Sequence, residues 1–416
     1  MSPTTHSTPS RVLIVGAGPA GTTTAIALKR FAPMIVPLIV DRSPFPRDKP
    51  CGDGLGPGAR RTLEELGLTH LLAGFNKPDS VALAGPDLVE ARLSGPFVGG
   101  KDLSGFVAPR RDFDNRLLEE ARRLGVEIRT ECRFRTLREL KDGGVEVDLT
   151  DVRKGTVSVE RFDFVIGADG AYSEVRRAVG LPVAPKSKTH IAIRSYADIS
   201  HPELSVDDTL RLDFLEGLLP AYGWVFPLVG GRANIGVGVP IERLSSTGRS
   251  LVDNLQVYYE NLRNRGFIVG NPESVKAHQL PHAAAKLPMS KGLVLTIGDA
   301  AATINPFSGE GIFYGMAAGL QLAQQLGVAS AEPNAELNFR NELKIFEGAY
   351  TQRFKKHFRN SYIAHQMLRS KKWASLTIKA AARDREVMSD GAFMMFDEQS
   401  ISLAAIGKAA IRGIRK

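Results

Sequence analysis

The chain has 416 residues, 43% hydrophobic and 24% charged, an ordinary globular usage that excludes a disordered or fibrous protein. Lys and Arg number 54 against 45 Asp and Glu, a net charge of +9, but the excess is spread along the chain rather than gathered into a basic run interleaved with aromatics, so nucleic-acid binding is not expected. The length is too great for one small core and predicts two domains, consecutive or interleaved.

The opening MSPTTHSTPS is polar and lacks the apolar core of a secretion signal, and no stretch approaches the ~18 apolar residues of a spanning helix. A cytoplasmic protein is expected, any membrane contact being peripheral, on the inner face. RVLIVGAGPAGTTTAIALKRF predicts a buried strand, a glycine turn and a helix. PLIVDR supplies the next strand, with Pro37 at its start and Asp41 at its end. A helix is predicted from Gly58, then short strands and loops between Ala84 and Gly105. RRDFDNRLLEEARRLGVEIRTE returns to helix and strand, and a hairpin, a strand and a short helix follow to Leu181. Between Lys186 and Asn271 the pattern changes to period-two strands, as in HIAIRSYADI and YGWVFPLVGGRANIGVGV, the latter folding on Gly230 and Gly231. KGLVLTIGDAAATINPFSGEGIFYGMAAGLQLAQQL restores strand, loop and helix, and the tail from Glu332 is helical and rich in Lys and Arg. Its end, ISLAAIGKAAIRGIRK, reads as a weakly amphipathic basic helix that either lies on an anionic membrane or packs on the domain.

The expected fold class is α/β: a Rossmann-type domain interleaved with an antiparallel-sheet domain, plus a helical C-terminal region. Residues 1–75, 101–185 and 277–331 are assigned to the first, 76–100 and 186–276 to the second, and 332–416 to the third.

Gly16, Gly18 and Gly21 form G-x-G-x-x-G between the first strand and helix, where they allow a tight turn, backbone approach to a pyrophosphate, and close packing. Asp41 follows about twenty residues beyond Gly21, at a strand end where a carboxylate can accept from ribose hydroxyls. Two further acidic loops, at Asp169-Gly170 and at Asp299, each follow a buried strand. A nicotinamide dinucleotide needs only the first fingerprint. A flavin extended through a ribityl chain needs a second anchor, and Asp299 can hold a ribityl hydroxyl while the helix start at Gly309-Glu310-Gly311 faces the electron-rich end of the ring.

Cys51 and Cys132 belong to no CxxC, and the eight histidines show no metal spacing, so no metal is expected. His278 and His282 are four apart, but Pro281 interrupts a helix there, and both are expected as hydrogen-bonded polar side chains. Strand alternation puts Tyr222, Trp224 and Phe226 on one face, as sheet core or as the wall of an apolar tunnel. In PRDKPCGDGL, Cys51 stands between basic Arg47 and Lys49 and the small Gly52 and Gly54. It either packs a small polarizable group against a ligand or, tuned by those cations, gives a proton.

VGAGPAGTTTA, PRDKPCGDGL, RRDFDNRLLEEA, VIGADGAYSEVRR, PAYGWVFPL and GDAAATINPFSGEGIFYGM follow one another from Val15 to Met316. In this order they resemble the two-domain FAD enzymes built like aromatic hydroxylases and, within them, the geranylgeranyl reductase family. KPCGDGL, YGWVFP and SGEGIFYGM point to the reductases. Hydroxylases typically read G-Q-G-x-N where Ser308-Gly309-Glu310-Gly311 stands here, and halogenases W-x-W-x-I-P where Tyr222 comes first here.

The resemblance implies FAD as cofactor. Gly16, Gly18, Ala20 and Gly21 would hold its pyrophosphate or adenosine half and Asp41 its ribose, with Arg110 reaching it from the later helix. Asp299, Gly311 and Ile312 would line the ribityl and isoalloxazine end, with Cys51, Gly52 and Gly54 beside the flavin and Asp169 bracing a loop near the pyrophosphate. Tyr222, Trp224 and Phe226 then become the substrate tunnel. The implied activity is saturation of carbon–carbon double bonds in a polyprenyl or related isoprenoid substrate by hydride transfer from reduced flavin, with Cys51 the candidate catalytic group. A second dinucleotide fingerprint is absent from the sequence, which leaves NADPH, NADH or ferredoxin as a transient electron donor. The alternative readings are a flavin-dependent monooxygenase or halogenase acting on a natural-product scaffold, and a non-catalytic flavin-binding or lipid-carrier protein.

Overall fold

The computed structural model describes residues 9–95, 97–98, 101–331 and 337–396, so the basic segment 401–416 lies outside the described residues. Ser10–Val15 is the central strand of a six-stranded sheet, with Ile14 registered against Ile166 on one side and Ile39 on the other. Across the sheet the strands run Ser290–Lys291, Val294–Thr296, Phe164–Gly167, Ser10–Val15, Ile35–Asp41 and Glu127–Thr130, all parallel except the first. Val12, Leu13, Ile14, Phe164, Val165 and Ile166 are fully buried, which is why these strands read as continuous apolar runs rather than alternating ones.

Pro19–Phe31 and Ile312–Ala329, far apart in sequence, lie against each other through small residues. A methyl at Gly315 would sit 2.9 Å from the Ala20 Cβ, and one at Gly319 would overlap Thr24. This approach sets the start of the late helix beside the first glycine turn.

The second sheet is built on the period-two stretch and is mostly antiparallel. Thr189–Ser200, Arg232–Pro240, Gly223–Pro227, Thr209–Asp213, Ser80–Ala84 and Glu90–Ser94 follow one another, and Glu273–Pro281 pairs with the other side of Thr189–Ser200. Gly223–Pro227 and Arg232–Pro240 form the expected hairpin, with Gly230 and Gly231 at its turn at φ +86° and +73°, where only glycine sits without strain. The domain boundary expected at residue 276 falls inside the strand Glu273–Pro281, which pairs with Thr189–Ser200 from Thr189–Pro281 to Tyr196–Glu273 with a register shift between Arg194 and Tyr196.

The stretch read as strands between 186 and 271 also contains the helix Leu251–Asn264. Its start carries a capping box in which Ser250 and Asp253 satisfy each other's backbone N–H groups, a spacing readable in the sequence. This helix covers one face of the sheet: Ile193, Val225, Ile235, Val237 and Tyr258 belong to one core cluster. The alternate residues Ala192, Arg194, Trp224, Phe226, Gly236 and Gly238 face the other way. The C-terminal helices Lys371–Arg383 and Arg385–Phe396 bring Ile378, Met388 and Met395 against Leu83, Leu212 and Phe214 at the far end of that sheet. Among the described residues no helix is long and apolar enough to cross a membrane.

Candidate functional site

Three of the parallel strands end together, and their loops at 16–18, 168–170 and 297–299 open into one cavity between the two sheets. Ligands collect outside strand carboxyl ends in such folds because helix N-termini and free backbone N–H groups converge there. The three glycines of the first loop divide the work. Gly16, at φ +109°, lies against the Ala168 carbonyl, and a methyl on Gly21 would overlap the Gly16 carbonyl. A methyl on Gly18 would meet only the guanidinium tips of Arg47 at 3.5 Å and Arg110 at 3.9 Å. Gly18 therefore faces open space at a helix start, flanked by two cations.

Gly18, Ala20, Cys51, Gly52, Gly54, Arg110, Asp299, Gly311 and Ile312 all line the cavity, as do Tyr222, Trp224 and Phe226. Gly16, Gly21 and Asp41 stand behind that wall. Asp41 Oδ2 accepts from the Ala17 N–H at 2.9 Å and Oδ1 from the Ser43 N–H at 2.9 Å, tying the glycine turn to the end of the next strand. Asp169 accepts from the N–H groups of Glu174 and Val175 and so caps the short helix Glu174–Ala178, a bracing role.

Arg110 is not a solvated charge at a helix start. It is 3% exposed and held by Asp114 through two bonds of 2.6 and 2.7 Å, whereas neighbouring Arg111 is exposed. At the other end of the cavity Asp299 accepts from Lys49 Nζ at 3.0 Å, with His278 Nε2 at 4.0 Å. Burial pushes the Asp299 carboxyl up, but Lys49, His278 and Arg110 outweigh it and hold the group below its ordinary range. Two guanidinium groups beside an open glycine turn and a carboxylate at the distal end match a dinucleotide with a pyrophosphate and a hydroxylated ribityl arm, so the residues present fit FAD.

The Cys51 loop is pinned to the antiparallel sheet. Asn234 donates to the Cys51 carbonyl at 2.7 Å and to Asp53 Oδ2 at 2.8 Å, and its own Oδ1 accepts from the Trp224 indole N–H at 3.0 Å. Tyr196 donates its hydroxyl to Asp53 Oδ2 at 2.6 Å, and Arg194 and Lys276 both pair with Asp48. Asp53 adopts φ +64° and is fully buried; desolvation lifts its carboxyl to about 6 despite those hydrogen bonds.

Burial dominates the electrostatics of Cys51 and of two histidines here. Burial is the largest influence on Cys51 and raises its pKa, over the opposing pull of Arg110 and the weaker one of Lys49, not of Arg47. Arg47 is instead occupied by Asp114 and Asp41. Cys51 therefore stands as a neutral thiol at neutral pH. His278 and His282 are not hydrogen-bonded through Nε2; both atoms are buried without a partner, and burial, with Lys49 beside His278 and His365 beside His282, pulls the rings to about 4 and about 3.

Trp224 and Phe226 sit over the cysteine loop, 3.2–3.3 Å from where methyls on Gly52 would lie, and Tyr222 donates to the Ser308 carbonyl. The aromatic face is thus cavity wall, with Leu103, Val81 and Phe307 continuing it. Sequence reasoning missed Asp53 and Asn234, and the approach of Lys49 and His278 to Asp299. Asn234 had a signal, since it is a polar residue at a cavity-facing position of a period-two ladder.

Residues 9–336 match the family described as FAD binding domain. The chain is 34% identical over 328 residues to a menaquinone reductase of Mycobacterium tuberculosis, covering 76% of each chain. It is 30% identical over 323 residues to a geranylgeranyl diphosphate reductase of Rhodobacter capsulatus, covering 75% of this chain and 73% of that one. The fold is similar to the crystal structure of a geranylgeranyl bacteriochlorophyll reductase-like protein from Thermoplasma acidophilum, with a TM-score of 0.78 at 21% identity over 96% of this chain and 95% of the other.

Proposed function

The chain belongs to the geranylgeranyl reductase family of FAD-dependent oxidoreductases, and from that premise we propose that it saturates carbon–carbon double bonds of a polyprenyl chain. Menaquinone and geranylgeranyl diphosphate, the molecules in the names of the two sequence relatives, differ in their heads and share the polyprenyl chain. The observation that carries the reading is the aromatic and aliphatic wall of Tyr222, Trp224, Phe226, Leu103 and Phe307, continuous with the Gly18–Arg110–Asp299 cradle in a single cavity. A water-poor wall of this kind suits a hydrocarbon chain.

Each double bond gains one hydride and one proton, and bound reduced FAD supplies the hydride. Gly18 and Arg110 would hold its pyrophosphate end, and Asp299, with Gly311 and Ile312, its ribityl end. The aromatic wall lays the alkene in place and excludes water, which matters because an isolated alkene is a poor hydride acceptor. Cys51 keeps its proton on Sγ, since burial outweighs Arg110, and it lines the cavity. That fits proton supply or close packing beside the flavin better than nucleophilic attack. A dissociable donor, NAD(P)H or ferredoxin, would supply the electrons.

The test is anaerobic incubation of chemically reduced holoenzyme with prenylated quinones and geranylgeranyl diphosphate, followed by mass spectrometry. Gain of two hydrogens per step is expected, and Cys51→Ala should slow it while retaining FAD. No hydrogen gain on any isoprenoid, with oxygen-dependent mass increase on aromatic substrates, overturns the reading.

A further inference from the structure

Two imidazoles of the cavity wall pack against a third that stands behind them. His190 lies on Thr189–Ser200, His282 directly follows Glu273–Pro281, and His365 is in the last turn of Phe339–Met367. Their ring centroids are 4.1 Å apart for His190 and His282, 4.8 Å for His190 and His365, and 5.9 Å for His282 and His365. His190 and His365 line the cavity beside Leu280 and Ile304. The three are 9%, 2% and 4% exposed, respectively.

Nε2 of His282 and Nε2 of His365 are buried without a hydrogen-bond partner. Native proteins leave few such groups unmade, because each forfeits its water without a replacement. These two sit in one cluster that reaches the cavity, which points to a ligand that completes them. Burial keeps all three rings neutral, helped by the neighbouring imidazoles and by Arg369 and Lys188. Lys188 is itself engaged, donating to the Tyr362 hydroxyl, and Arg369 donates to the Gln366 side chain at 3.2 Å. The cluster therefore offers neutral N–H donors in an apolar wall. Neither Lys188 nor Arg369 lines the cavity, so a diphosphate would bring several charges to a wall of neutral rings, whereas an uncharged oxygen acceptor needs only a donor.

We infer that His190 and His365, backed by His282, form a headgroup pocket that donates hydrogen bonds to a neutral carbonyl or hydroxyl oxygen, and that this chain takes a polyprenyl substrate headed by a quinone rather than by a diphosphate. The inference rests on the polyprenyl reading above and specifies which end of the substrate the protein recognises.

The test uses the full-chain holoenzyme and three probes of equal chain length: a geranylgeranylated 2-methyl-1,4-naphthoquinone, geranylgeranyl diphosphate and the corresponding headless hydrocarbon. Dissociation constants are measured by equilibrium binding, with flavin content and absorbance recorded for every variant. His365→Leu and His190→Leu should each weaken the quinone about tenfold, the scale of one lost hydrogen bond, and leave the hydrocarbon unchanged. His365→Gln, which keeps a donor, should recover part of the loss and replaces the leucine variant if that one fails to retain FAD. Unchanged quinone binding in both positions, or an equal loss for all three probes, overturns the inference. So does tighter binding of the diphosphate than of the quinone by the unsubstituted protein. Hydrogen gain on the chain without any histidine dependence of head recognition would sink the headgroup pocket alone. Histidine-dependent quinone binding without hydrogen gain on any probe would sink the polyprenyl-reduction reading alone.

Discussion

Replacing Asp53 with Asn should change how stability depends on pH. Burial lifts the Asp53 carboxyl from 3.8 to about 6 even though Tyr196 and Asn234 donate to it. That rise of about 2 pK units corresponds to roughly 3 kcal/mol against the fully ionised folded form. The folded chain binds this proton more tightly than the unfolded chain, so the group's contribution is most favourable below the unfolded value and is lost as pH rises through the folded value. Between about pH 4.5 and about pH 7.5 the loss amounts to roughly 2 kcal/mol. Asp53→Asn removes the titration and keeps a carbonyl oxygen that can accept from both donors. Urea unfolding of the FAD-loaded proteins, with coincident fluorescence and circular-dichroism transitions, gives the difference at each pH. Whatever its offset, the variant's stability relative to the unsubstituted protein should climb by about 2 kcal/mol across that range. A flat difference, or one that falls, refutes the placement of an ionisable carboxyl in a desolvated loop.

The glycine turn makes a second prediction, because its three members face different surroundings. Gly16→Ala and Gly21→Ala force a methyl into backbone and should each cost about 1–3 kcal/mol or more in thermal or urea unfolding. Gly18→Ala should leave the unfolding of the FAD-free protein within about 0.5 kcal/mol and weaken FAD about tenfold by flavin fluorescence titration. A third concerns Arg110. Arg110→Leu leaves fully buried Asp114 with Arg47 Nη1 at 3.3 Å as its remaining cation, and should destabilise by about 3–5 kcal/mol. Substituting both residues with leucine should recover part of that loss; a double variant less stable than the single one would show that the pair's geometry, not its desolvation, dominates.

The sequence alone determined what local pattern and short-range covalent order can encode. The continuous apolar run before Gly16, the G-x-G-x-x-G turn, the carboxylate spacing to Asp41 and the strand alternation through Tyr222, Trp224 and Phe226 each follow from backbone geometry over a few residues, and each was legible. A helix inside the period-two stretch was overlooked although Ser250 and Asp253 signalled its start. Tertiary structure decided the rest. Whether Cys51 is activated depended on which cation came close and on how much water was removed, and burial prevailed over Arg110. Lys49 meets Asp299 across 250 positions, and Asn234 joins Asp53 across 181. His190, His282 and His365 come from two strands' ends and a late helix. Electrostatic and hydrogen-bond energies fall off over a few ångströms of space, not of sequence. Local pairs such as Arg110–Asp114, four residues apart on one helix, aside, the charge state and pairing of the buried polar groups in this cavity were therefore fixed only when the two sheets and the C-terminal helices closed around it.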